Sequence, residues 1–354
     1  MTNDSADLTP RVITLGTAGG PRWWGADPAG RRRNGIATAV VVGPAVYLVD
    51  CGRGASTQFA EAGLSMDRLR GVFLTHLHSD HTVDLSGMLL FGWMMSGPRT
   101  GGPIPVIGPG DRGMLPAVNP RATGEVAPLT PLAPTSGTVQ LVEHLLTAYS
   151  ADVTDRMLDS LRPSPYTLFA PRDVALPEDS GYHPNLNPSP AGLEPFTVFE
   201  DEFVRVTATL VVHPPVAPAF AFRFDTEHGS VTISGDTAPS ENLVRLATGT
   251  DLLLHEAIDM GWAETAYRDV DAATREATLD HHRKSHTTPR QAGQIAAAAD
   301  VGTLALHHLV PGHADASVWH EATETFSGPV LVPEDLQSIT VARRLRPALA
   351  ATSL

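Results

Sequence analysis

Cysteine occurs once in 354 residues, at Cys51, which rules out an internal disulfide and any cysteine-built zinc module. Its position beside Asp50 reads as a small buried residue. Lysine is also single, at Lys284, so nearly all positive charge is arginine and the densest group is Arg31-Arg32-Arg33. That triplet reads as a solvated loop, with an anion-binding loop near a site as the alternative. Cations are outnumbered overall, and a formal charge of −14 disfavours a large polyanionic partner, which needs clustered cations to displace condensed counterions. No apolar run approaches the roughly 18–20 residues that span a bilayer. The opening MTNDSADLTPRV has neither a basic stretch nor an apolar segment of a leader peptide. The expectation is a cytoplasmic protein with no membrane partner.

With 42% hydrophobic and 18% charged residues the chain can bury a substantial core. Within it, Thr75 to Thr82 reads THLHSDHT directly behind the apolar run Gly71-Val72-Phe73-Leu74. The pattern HxHxDH puts four metal-binding side chains into six positions. Imidazole and carboxylate suit zinc and similar first-row ions, and a tight loop at a strand end can aim His76 and His78 at one ion and Asp80 and His81 at a second. The flanks agree. AVYLVD at 45–50 alternates as a half-buried strand that ends at Asp50, placed to orient a ligand imidazole through its other nitrogen, and 85–95 reads as an apolar helix.

Strands are expected near 11–16, 36–42, 45–50 and 71–75, with a helix at 54–62, and again near 203–212, 219–225, 230–234, 251–255 and 303–307, with helices at 239–247 and 288–299. Between these halves, residues 96–138 are rich in glycine and proline, 139–162 look helical, and a proline-rich stretch follows to about 195. We read 96–200 as a cap inserted within a single domain spanning 1–354. The apolar stripe of 139–162 must be buried, and placed over the site it would bring Tyr149 and Met157 to the substrate.

Two ions need more donors than one loop holds. His213, Asp236 and one of the pair His307 and His308 each follow an expected strand, where catalytic groups commonly sit. The remaining histidines, His144, His183, His228, His281, His282, His313 and His320, read as surface or capping groups. No Ser-His-Asp ordering or nucleophile elbow competes.

LVDCG at 48–52, THLHSDHT at 75–82, His213, SGDT at 234–237, HEA at 255–257 and LHHLVP at 306–311 resemble, in that order, the metallo-β-lactamase superfamily. HEA followed by SHTTPRQAG at 285–293 resembles its tRNase Z branch, and LGTAGGP with Arg33-Asn34 and VVHPPVAPAFAFRFD at 211–225 resemble the arylsulfatases of that branch. The resemblance implies an α/β fold, a four-layer αββα sandwich. It implies that His76, His78 and His213 hold one ion, that Asp80, His81 and His308 hold the other, and that Asp236 bridges them. Two Zn2+ are implied, with Mn2+ or Fe2+ also suited. Two such ions lower the pKa of a water between them and polarise the substrate. Asp80, His286 and Glu256 are the candidate catalytic groups, with Glu256 holding His286 near the leaving group as a proton donor; helix capping is the alternative for His286.

True tRNase Z proteins carry a projecting arm between the third histidine and the bridging aspartate, whereas only 22 residues separate His213 from Asp236 here. This points to a small, partly apolar substrate, with nucleic acid disfavoured, and to an arylsulfatase-like zinc hydrolase; a homodimer is compatible. The alternatives are a phosphodiesterase or tRNase Z-like nuclease, a lactonase, or an iron-dependent oxygenase on a related fold.

Overall fold

The computed structural model describes residues 7–344 except positions 98, 100 and 132, so the first six residues of the polar opening lie outside it. The first sheet takes β1 (Arg11–Gly16), β2 (Ala37–Val42), β3 (Ala45–Val49), β4 (Leu69–Phe73), β5 (Ile104–Gly108) and β6 (Phe169–Asp173). The second takes β7 (Phe196–Glu200), β8 (Arg205–Leu210), β9 (Phe220–Asp225), β10 (Ser230–Ile233), β11 (Leu252–Ile258), β12 (Thr303–Val310) and β13 (Val330–Leu331). β14 (Gln337–Thr340) returns to the first, giving the orders β14-β1-β2-β3-β4-β5-β6 and β13-β12-β11-β10-β9-β8-β7.

Alternation along the strands builds the layers. In β2, Ala37, Ala39 and Val41 face outward to a helical layer, while Val40 and Val42 face the second sheet; in β3, Val46 and Leu48 face outward and Tyr47 and Val49 inward. Both faces are covered, which is why the near-continuous apolar strand ATAVVV is fully buried. Gly43 at φ 53° supplies the left-handed residue of the two-residue turn that pairs Val42 with Ala45. The outer helices on this side are α1 (Ala55–Glu61), α2 (Ser79–Thr82), α3 (Leu85–Met95), α4 (Thr138–Ala148) and α5 (Ser150–Leu158). On the far side α6 (Glu241–Ala247) and, later, α9 cover the second sheet; between them come α7 (Met260–Ala266) and α8 (Ala272–Ser285), with α9 at Pro289–Ala298. The layers therefore run helix, sheet, sheet, helix.

Strand direction positions the site. β3 and β4 are parallel, so Asp50 and the THLHSDHT loop emerge at one edge. β10, β11 and β12 are parallel to one another, and β8 and β10 both run antiparallel to β9, so the segments after β8, β10 and β12 also share an edge.

The segment 96–200 is not a cap. It supplies β5 and β6 to the first sheet and β7 to the second. Proline and glycine within β5 and proline within β6 hid these two strands; Pro171 lies in the edge strand β6, where a missing donor is tolerated. The apolar stripe is buried only in part: Leu146 and Val153, with Val142, pack with Leu89, Trp93 and Phe169 on the outer face of the first sheet, while Leu158 and Leu161 are exposed. Among the described residues no helix is long and apolar enough to cross a membrane.

Because this helix pair is core, Leu146→Ala should lower unfolding stability by roughly 2–5 kcal/mol in a denaturant titration, with metal content unchanged. A change in metal content or substrate preference at unaltered stability would return the pair to a role at the site.

Candidate metal centre and its cavity

Asp50 ends β3 with φ 60°, a left-handed conformation that few non-glycine residues adopt. That turn points its carboxylate along the sheet edge. There Oδ1 accepts the Thr75 N–H at 2.8 Å and Oδ2 lies 2.9 Å from His81 Nδ1. A carboxylate can only accept from that imidazole, so Nδ1 carries the proton and Nε2 presents a lone pair. His213 is set the same way by the Ser285 carbonyl, 2.8 Å from Nδ1, at the end of α8.

His308 has the other unusual backbone. It sits at φ 47° inside β12, where Glu256 pairs with His307 and Ala257 with Leu309, so His308 is the extra residue of a bulge. A bulge re-aims one side chain. It sends His308 to the site while His307 stays between the two sheets, 3.5 Å from Thr38 Oγ1. Gly19 is required here, because a methyl group on it would overlap the His308 ring.

Two donor sets result: His76, His78, His213 and Asp236 in one, and Asp80, His81, Asp236 and His308 in the other, each with its donor atoms within 4.8 Å of one another. In the first, His78 Nδ1 lies 3.1 Å from His76 Nε2 and 3.2 Å from His213 Nε2. In the second, Asp236 Oδ1 lies 3.2 Å from His308 Nε2 and 3.3 Å from His81 Nε2, and Asp80 Oδ2 is 3.3 Å from His308 Nε2. Asp236 Oδ2 faces the first set, 3.9 Å from the Nε2 atoms of His76 and His213. Metal–nitrogen bonds of about 2.0–2.1 Å in a tetrahedron place neighbouring donors roughly 3.3 Å apart, so both sets have the spacing of a coordination shell. His81 Nε2 is buried without a hydrogen bond, and His213 Nε2 aims its lone pair at a second imidazole. An ion removes both penalties, and the residues fit a metal cofactor.

Charge agrees. Burial, then neighbouring imidazoles, push His76 well below the ordinary histidine value; burial also lowers His213 and His78. These are neutral imidazoles, the ligating form. His81 is the exception: burial disfavours its charged form, but Asp236, Asp50 and Asp80 outweigh it and hold His81 well above the ordinary value, so it favours a second proton at Nε2, the position that a bound ion would take instead. Burial opposes the charge on Asp80 and Asp236 too, and the histidines around them hold both carboxylates below the usual range.

Glu256 is fully buried in β11, accepts the Thr237 N–H at 2.7 Å, and places both oxygens 3.1 Å from His286 Nδ1. Burial raises Glu256. Burial would lower His286, but Glu256, then Asp236 and Asp80, raise it to about 9. The pair holds a proton with His286 Nε2 free to face the cavity. That cavity, of about 570 Å³, is lined by Asp80, Asp236, His78, His286 and His308 at one end and by Arg22, Trp24, Trp262 and Tyr267 at the other.

His281 and His282 also line it and group with His286, although sequence reading left them as surface or capping residues. Burial lowers them to about 4 and about 3. Their adjacency to SHTT at 285–288 is the signal that would have found them. Tyr149 and Met157 are corrected in the other direction: neither lines the cavity, and they are 46% and 37% exposed on the packed helix pair. The arginine triplet is structural in part. Arg31 pairs with Asp27 and Glu334, and Arg33 donates to Thr17 Oγ1 and the Pro333 carbonyl.

A family model described as Anti-Pycsar protein Apyc1 matches residues 39–97, the stretch from β2 through the ligand loop to α3. Ribonuclease Z of Mycobacterium avium is 30% identical over 316 residues, covering 87% of this chain and 92% of that one. Among solved structures, the short form of human tRNase Z aligns over 94% of this chain and 99% of its own with a TM-score of 0.57 at 21% identity. The metallo-β-lactamase fold protein YhfI of Bacillus subtilis aligns over 93% and 98% with a TM-score of 0.55 at 17% identity. The fold is that of the metallo-β-lactamases, and the chain is a metal-dependent hydrolase by likeness and by donor set. The expectations of a small-molecule substrate, of nucleic acid as an improbable partner and of an arylsulfatase as the nearest kin do not stand. The full-length likeness is to a ribonuclease. Net charge misled because it averages over a surface, whereas a substrate meets the cations beside the site.

Glu256→Gln removes the carboxylate that raises His286 and leaves the burial that lowers it. Imidazole NMR of the metal-free protein should show His286 titrating near pH 9 in the wild type and at a clearly lower pH in the variant, where only Asp236 and Asp80 still oppose burial. An unchanged titration would detach Glu256 from His286.

Proposed function

Since the chain belongs to the ribonuclease Z family, we propose that it is a metal-dependent ribonuclease, hydrolysing a phosphodiester bond of RNA at a two-ion centre. The observation that carries this is identity at the family level over nearly the whole of both chains, joined to a donor set from which no ligand is missing. His76, His78 and His213 would hold one ion and Asp80, His81 and His308 the other, with Asp236 shared. Zinc suits these nitrogen and oxygen donors, with manganese or iron as alternatives. Bound there, the ions supply an activated water at neutral pH and Lewis acidity toward the phosphoryl oxygens.

The chain's own groups do the rest. Asp50 keeps His81 in the tautomer that offers Nε2, and the Ser285 carbonyl does the same for His213. As the P–O bond to the leaving ester oxygen breaks, His286 delivers its proton there, and Glu256 holds the imidazole in position. Between His213 and Asp236 the chain folds into the short strands β9 and β10, with no projecting arm. Recognition therefore falls to the cavity walls, which suits an unpaired RNA end entering the site.

Zinc-loaded protein should cleave RNA with an unpaired 3′ extension, and a chelator should abolish the reaction. His286→Ala should keep its metal and slow cleavage by roughly 10²–10⁴, the span of general acid catalysis. Turnover of aryl sulfates without RNA cleavage would overturn the proposal.

A further inference from the structure

A second cavity, of about 370 Å³, meets the first along Arg22 and Asp80 but contains neither His286 nor His308. Pro21, Val83, Trp23 and Arg53 line it. The loop that carries Trp23 is pinned on both sides. Trp24 is buried, donates its indole N–H to the Gly19 carbonyl at 2.7 Å, and meets Trp262 edge-on at 5.4 Å. The Arg22 guanidinium lies 5.3–5.9 Å from the ring centroids of Tyr267, Trp262 and Trp24, and donates to Tyr267 Oη at 2.7 Å. Trp23, between these two fixed neighbours, is 92% exposed, the most exposed aromatic among the described residues, and makes no ring contact there.

A pinned loop that presents a bare indole beside a metal-donor cluster is a surface made for a flat partner. Every nucleobase has a π-face, so stacking on an indole tolerates sequence. Arg22 and Arg53 flank the same wall and supply positive charge for a backbone phosphate.

We propose that Trp23 is the stacking platform for the base next to the scissile phosphate, on the nucleotide that keeps the phosphate, with Arg22 and Arg53 facing its backbone. The assignment of side follows from His286, whose proton goes to the leaving group in the larger cavity. The inference rests on the ribonuclease reading for its substrate class, and its test separates the two.

Binding is read by fluorescence anisotropy of a labelled short oligoadenylate on zinc-loaded protein in the slow His286→Ala background. Adding Trp23→Ala should weaken binding roughly 5- to 100-fold, the range of one base–aromatic stack, and Trp23→Phe should recover most of it. An abasic strand of the same length should bind the parent about as weakly as oligoadenylate binds the Trp23→Ala protein, and should not distinguish the two proteins. In otherwise wild-type enzyme, Trp23→Ala should raise KM and leave kcat within about two-fold. Equal oligoadenylate affinity with and without Trp23, equal affinity for the abasic strand, or no binding by the parent would each overturn the platform. Trp23-dependent binding in a wild-type protein that cuts neither this strand nor RNA with an unpaired 3′ extension would leave the platform standing and remove the ribonuclease proposal.

Discussion

Asp236 is a carboxylate taken almost wholly out of water, with one oxygen turned to each of two groups of imidazoles. A buried charge is costly unless it is paired, and lone pairs of neutral histidines that face one another repel. On the two-ion reading proposed above, a cation on each side of the carboxylate would satisfy all of them. The surrounding fold delivers those groups to a single edge. Parallel strands carry the loops there, the bulge in β12 rotates His308 inward, Gly19 leaves room for its ring, and Asp50 holds the tautomer of His81. Each device acts on orientation rather than on identity, which is why the donors sit at coordination spacing before any ion is considered.

The strands that alternate cleanly were legible. β1 to β4 and β8 to β12 lie within a few residues of their expected places, because short apolar or alternating runs bounded by polar residues, glycine or proline mark strands. The ligand loop was legible for a different reason: four donors in six positions have few structural explanations. β5 and β6 were missed because Pro105 and Pro171 sit inside strands whose partners are far along the chain, and β7, FTVFE, follows a proline-rich stretch that masks its start. Pairing is a tertiary fact that local composition cannot report. The choice between His307 and His308 was equally closed to spacing, since a bulge decides it. Periodicity correctly demanded burial of Leu146 and Val153 but could not say against what.

Substrate class was the reading that failed, and charge is the physical reason. A sum of −14 describes the whole surface, yet Arg22 lines both of the cavities that share Asp80 and Arg53 lines the smaller one. The 22-residue span between His213 and Asp236 removes one means of gripping RNA and does not exclude RNA itself. On the proposed ribonuclease reading, affinity for RNA would come from the rim of the site in place of an arm.

Elemental analysis of the purified chain after loading with excess zinc bears most directly on the shared carboxylate. Two ions per chain are expected in the wild type, with both weakened by Asp236→Ala, while His213→Ala and His308→Ala should each retain one. A wild-type protein that saturates at one ion, or an Asp236→Ala protein that holds two as tightly as its parent, would contradict the account.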